Sequence, residues 1–248
     1  MSSRGNGILT SSPVTGNPWG AQRLVTPGVD GSELVCFALS FDAARFKAEW
    51  FEHYGVVQPD SVKRSVQKRQ AEFFFGRMAA RLALAERGMP LVDVLIGPQR
   101  EPVWPGGISG SISHTKGLAM ATVAPHSRCS GMGIDVEHAV SGHARESIAS
   151  SVLDAAEQAL LARCCANLGD GGVSLAFSAK ESLFKGAFHS VRRFFDFTAA
   201  RIEAVDPATR TLRMRLTENL SSQFPLDRMC EIGYDVLDDD LVLTHFLG

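Results

Sequence analysis

Apolar residues follow two different spacings along the chain, and these predict both helices and strands. Residues 61–87 carry apolar side chains at near-helical intervals, which predicts one long helix that ends before Gly88 and Pro90. The D-x-x-E form of residues 154–157 predicts the start of another helix. Two further helical patterns cover residues 42–53 and 177–188. A loop is predicted at residues 169–172, before the second of them.

After residue 107 the period changes to two, as in a β-strand. One face carries Ile108, Gly110, Ile112 and His114, and the other carries Ser109, Ser111 and Ser113. A turn at residues 115–117 leads to a return strand at residues 118–124, and strands joined by short turns pair antiparallel. Other predicted strand segments are residues 34–39, 133–137, 194–205, 212–216 and 230–246.

Both halves of the chain mix helices with strands, which predicts an α+β fold. Each half has a helix with an aromatic start and basic residues, followed by hairpin-like strands, and no low-complexity linker separates the halves. We therefore predict two intimately packed α+β lobes, residues 1–126 and 127–248, each a small antiparallel sheet packed with helices. The first 20 or so residues, rich in Gly, Ser, Pro and Asn, are expected to be loosely packed.

Composition narrows the class of protein. With 45% hydrophobic and 21% charged residues, the 248-residue chain can form a stable core. A net charge of −2 gives the molecule no general affinity for nucleic acid. Five scattered cysteines without a C-x-x-C pair indicate reduced thiols, and no apolar run is long enough to span a bilayer or to serve as a signal peptide. We expect a cytoplasmic protein.

Asp135 and Glu137 are the first candidate functional residues. Residues two apart on a strand share a face, so the two carboxylates are expected to lie side by side. Mg²⁺ favours such oxygen ligands together with substrate phosphates. The alternative is an edge strand that carries two ordinary solvent-facing acids.

Residues 177–185 have two interpretations. Ser178 and Glu181 match a capping box, and Glu181 and Lys185 have the spacing of a surface ion pair. In the functional interpretation, Glu181 faces the same metal as Asp135, while Lys180 and Lys185 face phosphate. This segment alone does not decide between them.

Basic residues of the long helix form a third candidate. Arg69 and Arg77 are eight residues apart and share a face, and guanidinium groups bind phosphate in bidentate fashion. His114 ends a strand beside a turn, where free amides also favour anions. The alternatives are a solvated basic face and a structural histidine. The glycines near His114 have neither the P-loop nor the Rossmann spacing.

Taken in order, these segments resemble the 4′-phosphopantetheinyl transferase superfamily, in particular the enterobactin synthetase component D type. The resemblance rests on K-R-Q-A-E-F with G-R-x-A-A-R (68–81), R-E-P-x-W-P (100–105), G-S-I-S-H-T (110–115), G-I-D-V-E (133–137) and F-S-x-K-E-S-L-F-K (177–185). It covers about half of the chain.

The resemblance implies two pseudo-symmetric lobes with coenzyme A in a cleft between them. It implies that Asp135, Glu137 and Glu181 hold Mg²⁺, with Mn²⁺ as a possible substitute. The implied ligands of the coenzyme A phosphates are Arg69, Arg77, Arg100, Ser113, His114, Lys180 and Lys185.

The implied activity is transfer of the phosphopantetheine arm to a serine of an apo acyl or peptidyl carrier protein. Glu181, Lys185 and Asp135 would be the catalytic residues, and a monomer would suffice. Two alternatives stay open at this point: a metal-dependent phosphodiesterase built on the same carboxylates, and a non-enzymatic module that binds nucleotides or carriers.

Overall fold

The computed structural model describes residues 9–89, 92–165, 168–238 and 240–248, and these form an α+β protein. The backbone divides into two compact units. The N-terminal unit comprises Thr10–Val25 and Leu34–Arg128, and the C-terminal unit comprises Thr26–Glu33 and Cys129–Gly248. The predicted division at residues 126 and 127 stays a prediction.

The N-terminal unit contains a five-stranded sheet and a two-stranded hairpin. The strand order of the sheet is β1 (Thr10–Pro13), β2 (Gln22–Pro27), β3 (Glu33–Ser40), β7 (Leu118–Pro125) and β6 (Ile108–Thr115). The pairs β1–β2, β3–β7 and β7–β6 are antiparallel, as predicted for β6 and β7. The hairpin consists of β4 (Leu95–Ile96) and β5 (Pro102–Val103).

Thr10–Pro13 corrects part of the prediction of a loosely packed N-terminus. These four residues form β1 and pair in register with residues 22–25. The exposed side chains of β1 gave no apolar signal, because the strand is held by backbone hydrogen bonds at the edge of the sheet. The prediction for residues 1–8 lies outside the described residues.

The helix predicted at residues 61–87 is in fact two helices, α2 (Asp60–Lys63) and α3 (Gln67–Ala85). Between them Val66 is extended, at φ −65° and ψ 153°. The side-chain amide of Gln70 donates to the carbonyl of Ser65 at 2.9 Å, so the interruption leaves that group satisfied. Gly88, at φ +74°, lies just beyond α3, as predicted, and Pro90 is outside the described residues.

The helix predicted at residues 42–53 is mostly wrong. Only α1 (Trp50–His53) forms, because the Asp42 carboxylate accepts a hydrogen bond from the Ala44 amide at 2.9 Å and sets a turn. The aromatic residues of this segment still enter the core. Phe46 and Phe51 pack on Phe74 of α3, and α3 lies on β6 and β7 with its other face.

Among its described residues, the C-terminal unit has its own five-stranded antiparallel sheet and three α-helices. The strand order is β8 (Met132–His138), β12 (Leu241–Leu247), β11 (Met229–Asp238), β10 (Thr211–Leu216) and β9 (Ala200–Asp206). The helices are α4 (Gly142–Val152), α5 (Ala155–Cys164) and α6 (Gly171–Val191), and a 3-10 turn spans Phe197–Ala199. Helix α6 packs across β8 and β12.

The predicted strands and helices of this unit are present with shifted boundaries, but α4 was not predicted. The capping box at Asp154 is present, with its carboxylate accepting from the amides of Ala156 and Glu157 at 2.8 Å. Helix α6 begins at Gly171, six residues before the predicted start at residue 177. The strand predicted from residue 194 begins only at Ala200.

Gly133 lets β8 and α6 approach to backbone contact. A Cβ atom at Gly133 would overlap the carbonyl oxygen of Ser182 and crowd the amide nitrogen of Gly186 at 2.7 Å. Any larger residue would therefore push the helix away from the strand.

Within the described ranges, no helix combines the length and the apolar character needed to cross a bilayer.

Candidate active site

The two candidate carboxylates of β8 lie on the face that α6 covers. Gly133, Asp135 and Glu137 alternate with the buried Ile134 and Val136. Because Gly133 meets α6 directly, the next two residues of this face point to the same side. Asp135 is only 3% exposed, whereas Glu137, near the end of the strand, is half-buried.

Lys185 of α6 is the ion-pair partner of Asp135. Its ammonium lies 2.6 Å from Oδ1 of Asp135 and 3.3 Å from the carbonyl oxygen of Ile134. Glu181 lies one turn earlier on the same helix. Burial raises the pKa of Glu181; the positive charge of Lys185 opposes this rise, and the negative charge of Asp135 adds to it. The structure thus brings Asp135, Glu181 and Lys185 into one electrostatic group.

A preformed cluster of metal ligands is absent from the part of the chain that the structure describes. No three His, Cys, Asp or Glu side chains there are arranged to hold an ion. Asp135 and Glu181 nevertheless interact as like charges, and such a pair attracts a cation. In this structure the ammonium of Lys185 contacts Asp135 at 2.6 Å.

The predicted capping box at Ser178 is wrong. Ser178 is a buried residue in the interior of α6, and its hydroxyl lies 2.9 Å from the Thr244 hydroxyl. The Ser182 hydroxyl, one turn later, lies 2.6 Å from the same oxygen. Thr244 is the register partner of Asp135 on β12. These hydroxyls therefore fix α6 along the sheet beside the carboxylates.

Lys180 points away from Glu181 into the core, because consecutive helical residues are about 100° apart. The residue is 3% exposed, and its ammonium lies 2.8 Å from Oε1 of Glu157. It also donates to the carbonyls of Val152 at 2.8 Å and Phe197 at 3.2 Å. All three donors of the ammonium are thus engaged inside the protein, and its predicted phosphate contact stays a prediction.

A cavity of about 280 Å³ lies beside Glu181. Its wall is mainly aromatic and includes Lys180, Glu181, Phe184, Phe194, Phe195 and Phe197. Phe194, unlike a residue of the core, is 70% exposed. It stacks on Phe184 with ring centroids 5.4 Å apart, so an exposed aromatic surface forms the rim of the cavity.

Arg69 and His114 meet in the N-terminal unit. A guanidinium nitrogen of Arg69 lies 2.8 Å from Nε2 of His114, across the contact of α3 with β6. Glu72 lies 3.6 Å from Arg69 and 3.9 Å from His114. The structure thus brings Arg69 and His114 together in a local cluster, and their phosphate contacts stay predictions.

Arg77 lies two turns further along α3. Burial and then the charge of Arg69 lower its pKa to about 10, and Asp93 opposes this. Its guanidinium stacks on Phe73 at 4.4 Å, which is a cation–π contact. Within the described part of the chain, Nε of Arg77 is buried and has no hydrogen-bond partner. Two close positive charges with an unsatisfied donor favour an anionic ligand.

Ser113 and Arg100 are placed differently from this cluster. Ser113 is buried, and strand alternation puts its side chain on the face of β6 opposite to that of His114. Arg100 is exposed in the turn of the β4–β5 hairpin, at φ +71°. Neither is in the Arg69–His114 contact, and their roles stay predictions.

Sequence reasoning gave no role to three features of this site. The spacing of Ser178 and Ser182 by four residues on a helix is a signal that both share a face. The sequence signal for the aromatic cavity was a group of four phenylalanines close to Glu181, at positions 184, 194, 195 and 197. The pairing of Lys180 with Glu157 had no signal, because the residues come from different helices.

Comparisons with known proteins show the family to which the chain is similar. Residues 58–124 match the family model for the 4′-phosphopantetheinyl transferase N-terminal domain, and residues 131–233 match that for the 4′-phosphopantetheinyl transferase superfamily. Enterobactin synthase component D of Salmonella typhi is 33% identical over 179 residues, which cover 71% of each chain.

Two actinobacterial proteins show similar identity. The 4′-phosphopantetheinyl transferase Svp of Streptomyces mobaraensis is 36% identical over 156 residues, or 62% of each chain. The 4′-phosphopantetheinyl transferase PptT of Mycobacterium tuberculosis is 34% identical over 145 residues, which cover 57% of this chain and 61% of that protein.

The chain therefore belongs to the 4′-phosphopantetheinyl transferase superfamily, and within it to the enterobactin synthase component D type. It is a transferase that moves 4′-phosphopantetheine to a carrier protein, and the family takes this group from coenzyme A. The family resemblance drawn from the sequence is confirmed.

Proposed function

We propose that the chain transfers the phosphopantetheine arm of coenzyme A to a serine hydroxyl of an apo acyl or peptidyl carrier protein in an Mg²⁺-dependent reaction. The products are the holo carrier and adenosine 3′,5′-bisphosphate. The observation that carries the proposal is the grouping of Asp135, Glu181 and Lys185 beside an aromatic cavity. This grouping supplies an acid–base residue and a cation at one place.

The residues fit Mg²⁺ by the chemistry of their donors. Asp135, Glu137 and Glu181 offer only carboxylate oxygens, and a cation would relieve the repulsion that contributes to the raised pKa of Glu181. We therefore assign these three side chains as its ligands. The ion would neutralise negative charge on the diphosphate of coenzyme A.

Glu181 is the proposed proton acceptor. Its carboxylate lies in the wall of the cavity and can accept the proton of a serine hydroxyl that reaches it. The serine oxygen then attacks the β-phosphorus of coenzyme A. As the new P–O bond forms, the bond to the adenosine 3′,5′-bisphosphate oxygen breaks.

Lys185 is the proposed stabiliser of the leaving group. Its ammonium already contacts Asp135 at 2.6 Å, so it stands at the negatively charged side of the site. A cation held there offsets the charge that develops on the departing phosphate. Asp135 in turn fixes the position of this ammonium.

The nucleotide end of coenzyme A supplies the anion for the arginine cluster. We assign its phosphates to Arg69, Arg77 and His114, because Arg69 contacts His114, the charge of Arg69 acts on Arg77, and Arg77 has an unsatisfied donor in the described structure. Arg100 and Ser113 keep their predicted phosphate roles as secondary parts of the proposal.

The aromatic cavity supports binding of the pantetheine arm. The arm is a flexible chain of apolar and amide groups, and a cavity of about 280 Å³ lined by phenylalanines can bury part of it. A carrier protein is too large to enter, so its serine has to approach at the rim, where Phe194 is exposed. One chain contains every residue named here, so we propose a monomer as the working unit.

The test is an assay with purified protein, Mg²⁺, coenzyme A and a panel of apo carriers, beginning with a carrier domain of a siderophore synthetase. Mass spectrometry should detect the added phosphopantetheine on the carrier, and chelation of Mg²⁺ should abolish it. Glu181→Gln should be inactive, whereas Glu218→Gln, at an exposed position outside the site, should be unaffected. Hydrolysis of coenzyme A without modification of any carrier would contradict the proposal.

A further inference from the structure

We infer that Lys180, together with Glu157, is a positioning pair for Glu181 and does not bind phosphate. The inference rests on the proposed role of Glu181 as proton acceptor. An ammonium group has three N–H donors. Those of Lys180 are used on Glu157, Val152 and Phe197. A phosphate could be bound only if one of these buried contacts were broken.

Both carboxylate oxygens of Glu157 also accept hydrogen bonds. Its Oε1 also accepts from the amide of Ile202 at 2.8 Å, and its Oε2 accepts from the amide of Asp154 at 2.8 Å. Both residues of the pair are 3% exposed. The pair therefore joins the end of α4, the start of α5, the middle of α6, the 3-10 turn and β9 at one buried point.

The Lys180–Glu157 pair fixes the position of active-site residues without lying in the site itself. Lys180 precedes Glu181 on α6, so anchoring its side chain fixes the rotation of the helix that presents Glu181. The same ammonium holds the carbonyl of Phe197, in a segment that also lines the cavity. Displacement of a reacting group by about 1 Å costs on the order of a hundredfold in rate.

Substitutions at Lys180 and Glu157 test this role. Removal of one partner leaves the other charge buried and uncompensated, whereas neutralisation of both is often tolerated. A positioning pair therefore predicts that Lys180→Met lowers kcat by about a hundredfold and leaves the Kd for coenzyme A unchanged. The double variant Lys180→Met/Glu157→Gln should recover most of the lost kcat.

Glu157→Asp gives a second, milder measurement if Lys180→Met does not fold. It keeps the charge but shortens the side chain, and Glu157 lies in the core with its oxygens engaged. It should lower kcat with an unchanged Kd for coenzyme A. A Kd that rises in Lys180→Met and in the double variant alike would overturn the inference in favour of a phosphate ligand. An unchanged kcat in Glu157→Asp would also overturn it.

Glu181→Gln separates this inference from the function on which it rests. If Glu181→Gln keeps normal turnover, the assignment of the proton acceptor fails, whatever the Lys180 variants do. If Glu181→Gln is inactive but the Lys180 and Glu157 variants do not follow the pattern above, only the positioning role fails.

Discussion

Lys185 and Asp135 form a close ion pair, with Nζ 2.6 Å from Oδ1, between a helix and a strand whose backbones touch at Gly133. The pair links the two motifs that carry the family resemblance, G-I-D-V-E and F-S-x-K-E-S-L-F-K. Each motif alone has an ordinary structural explanation. Because Asp135 and Lys185 are in contact, the two motifs belong to one site.

Replacement of Asp135 should remove activity without unfolding the protein. Asp135→Asn keeps the shape of the side chain but removes the charge that holds Lys185, so kcat should fall by about a hundredfold or more. Turnover of coenzyme A with an apo carrier measures the loss, and far-ultraviolet circular dichroism checks the fold. Asp60→Asn, at an exposed position of α2, is the matched control. Near-normal turnover of Asp135→Asn at saturating Mg²⁺ would refute the assignment.

Glu181 should make the metal-free protein less stable as the pH rises. Its pKa is raised by burial and by Asp135, and a carboxyl with a raised folded pKa contributes stability that is complete below its ordinary pKa and lost as the pH rises through the raised value. Glu181→Gln lacks this loss. Its melting temperature in chelator should therefore exceed that of the parent at pH 7.

The stability difference between the two proteins has a defined pH dependence. It should shrink as the pH falls below the ordinary pKa of a glutamate, where the parent carboxyl is protonated in both the folded and the unfolded chain. Thermal melts across this range measure it. A difference that is constant with pH would show that the burial of Glu181 has no effect on its ionisation.

Arg77 should matter for nucleotide affinity. Arg77→Gln removes a charge-assisted contact with phosphate, and the Kd for adenosine 3′,5′-bisphosphate should rise by about tenfold, or ~1.4 kcal/mol. Titration calorimetry measures the change. Arg87→Gln, at an exposed position after the end of the same helix, should bind as the parent does. Equal affinities of the two variants would remove Arg77 from the phosphate site.

Gly133 should be intolerant of a side chain. Gly133→Ala would place a methyl group against the backbone of Ser182 and Gly186, which overpacks the contact of β8 with α6. We expect a loss of about 1–3 kcal/mol in the free energy of unfolding, and a lower kcat because Lys185 moves away from Asp135. Gly106→Ala is the control, since a Cβ atom there meets nothing within 4 Å. Urea unfolding of both variants gives the comparison.

Phe194 should act on the acceptor more than on the nucleotide. Exposed aromatic residues at the rim of a site often dominate contacts with a protein partner, so Phe194→Ala should raise the KM for the apo carrier by about tenfold. The Kd for adenosine 3′,5′-bisphosphate should not change, because that ligand lacks the pantetheine arm. Leu226→Ala, at another exposed apolar position, controls for the loss of apolar surface. Unchanged carrier kinetics would exclude docking at this rim.

Much of this fold follows from local patterns. Alternation located β6, β7 and β8, and the spacing of apolar residues located α3, because these elements bury one side against a core. The start of α6 at Gly171 could not be predicted in the same way. Two consecutive glycines favour a loop locally, and only their burial in the C-terminal unit makes them helical.

The site was less accessible to sequence reasoning than the fold. Asp135 and Glu137 could be assigned to one face, since strand alternation requires it. The contact of Asp135 with Lys185 depends on the distance between β8 and α6, which Gly133 sets through tertiary packing. Lys180 was expected at a phosphate because the family resemblance implied it, and its buried partner Glu157, which lies on another helix, gave no sequence signal.

The pairing of β8 with β12 has a consequence for the order in which the enzyme matures. Asp135 lies opposite Thr244, about a hundred residues further along the chain, so this ladder closes a long loop, and such closures are slow. A nascent chain that already contains α6 but not yet β12 carries its carboxylate strand as an open edge. Such an intermediate should be catalytically silent and prone to strand-mediated association, which makes this edge a point of dependence on chaperones during synthesis.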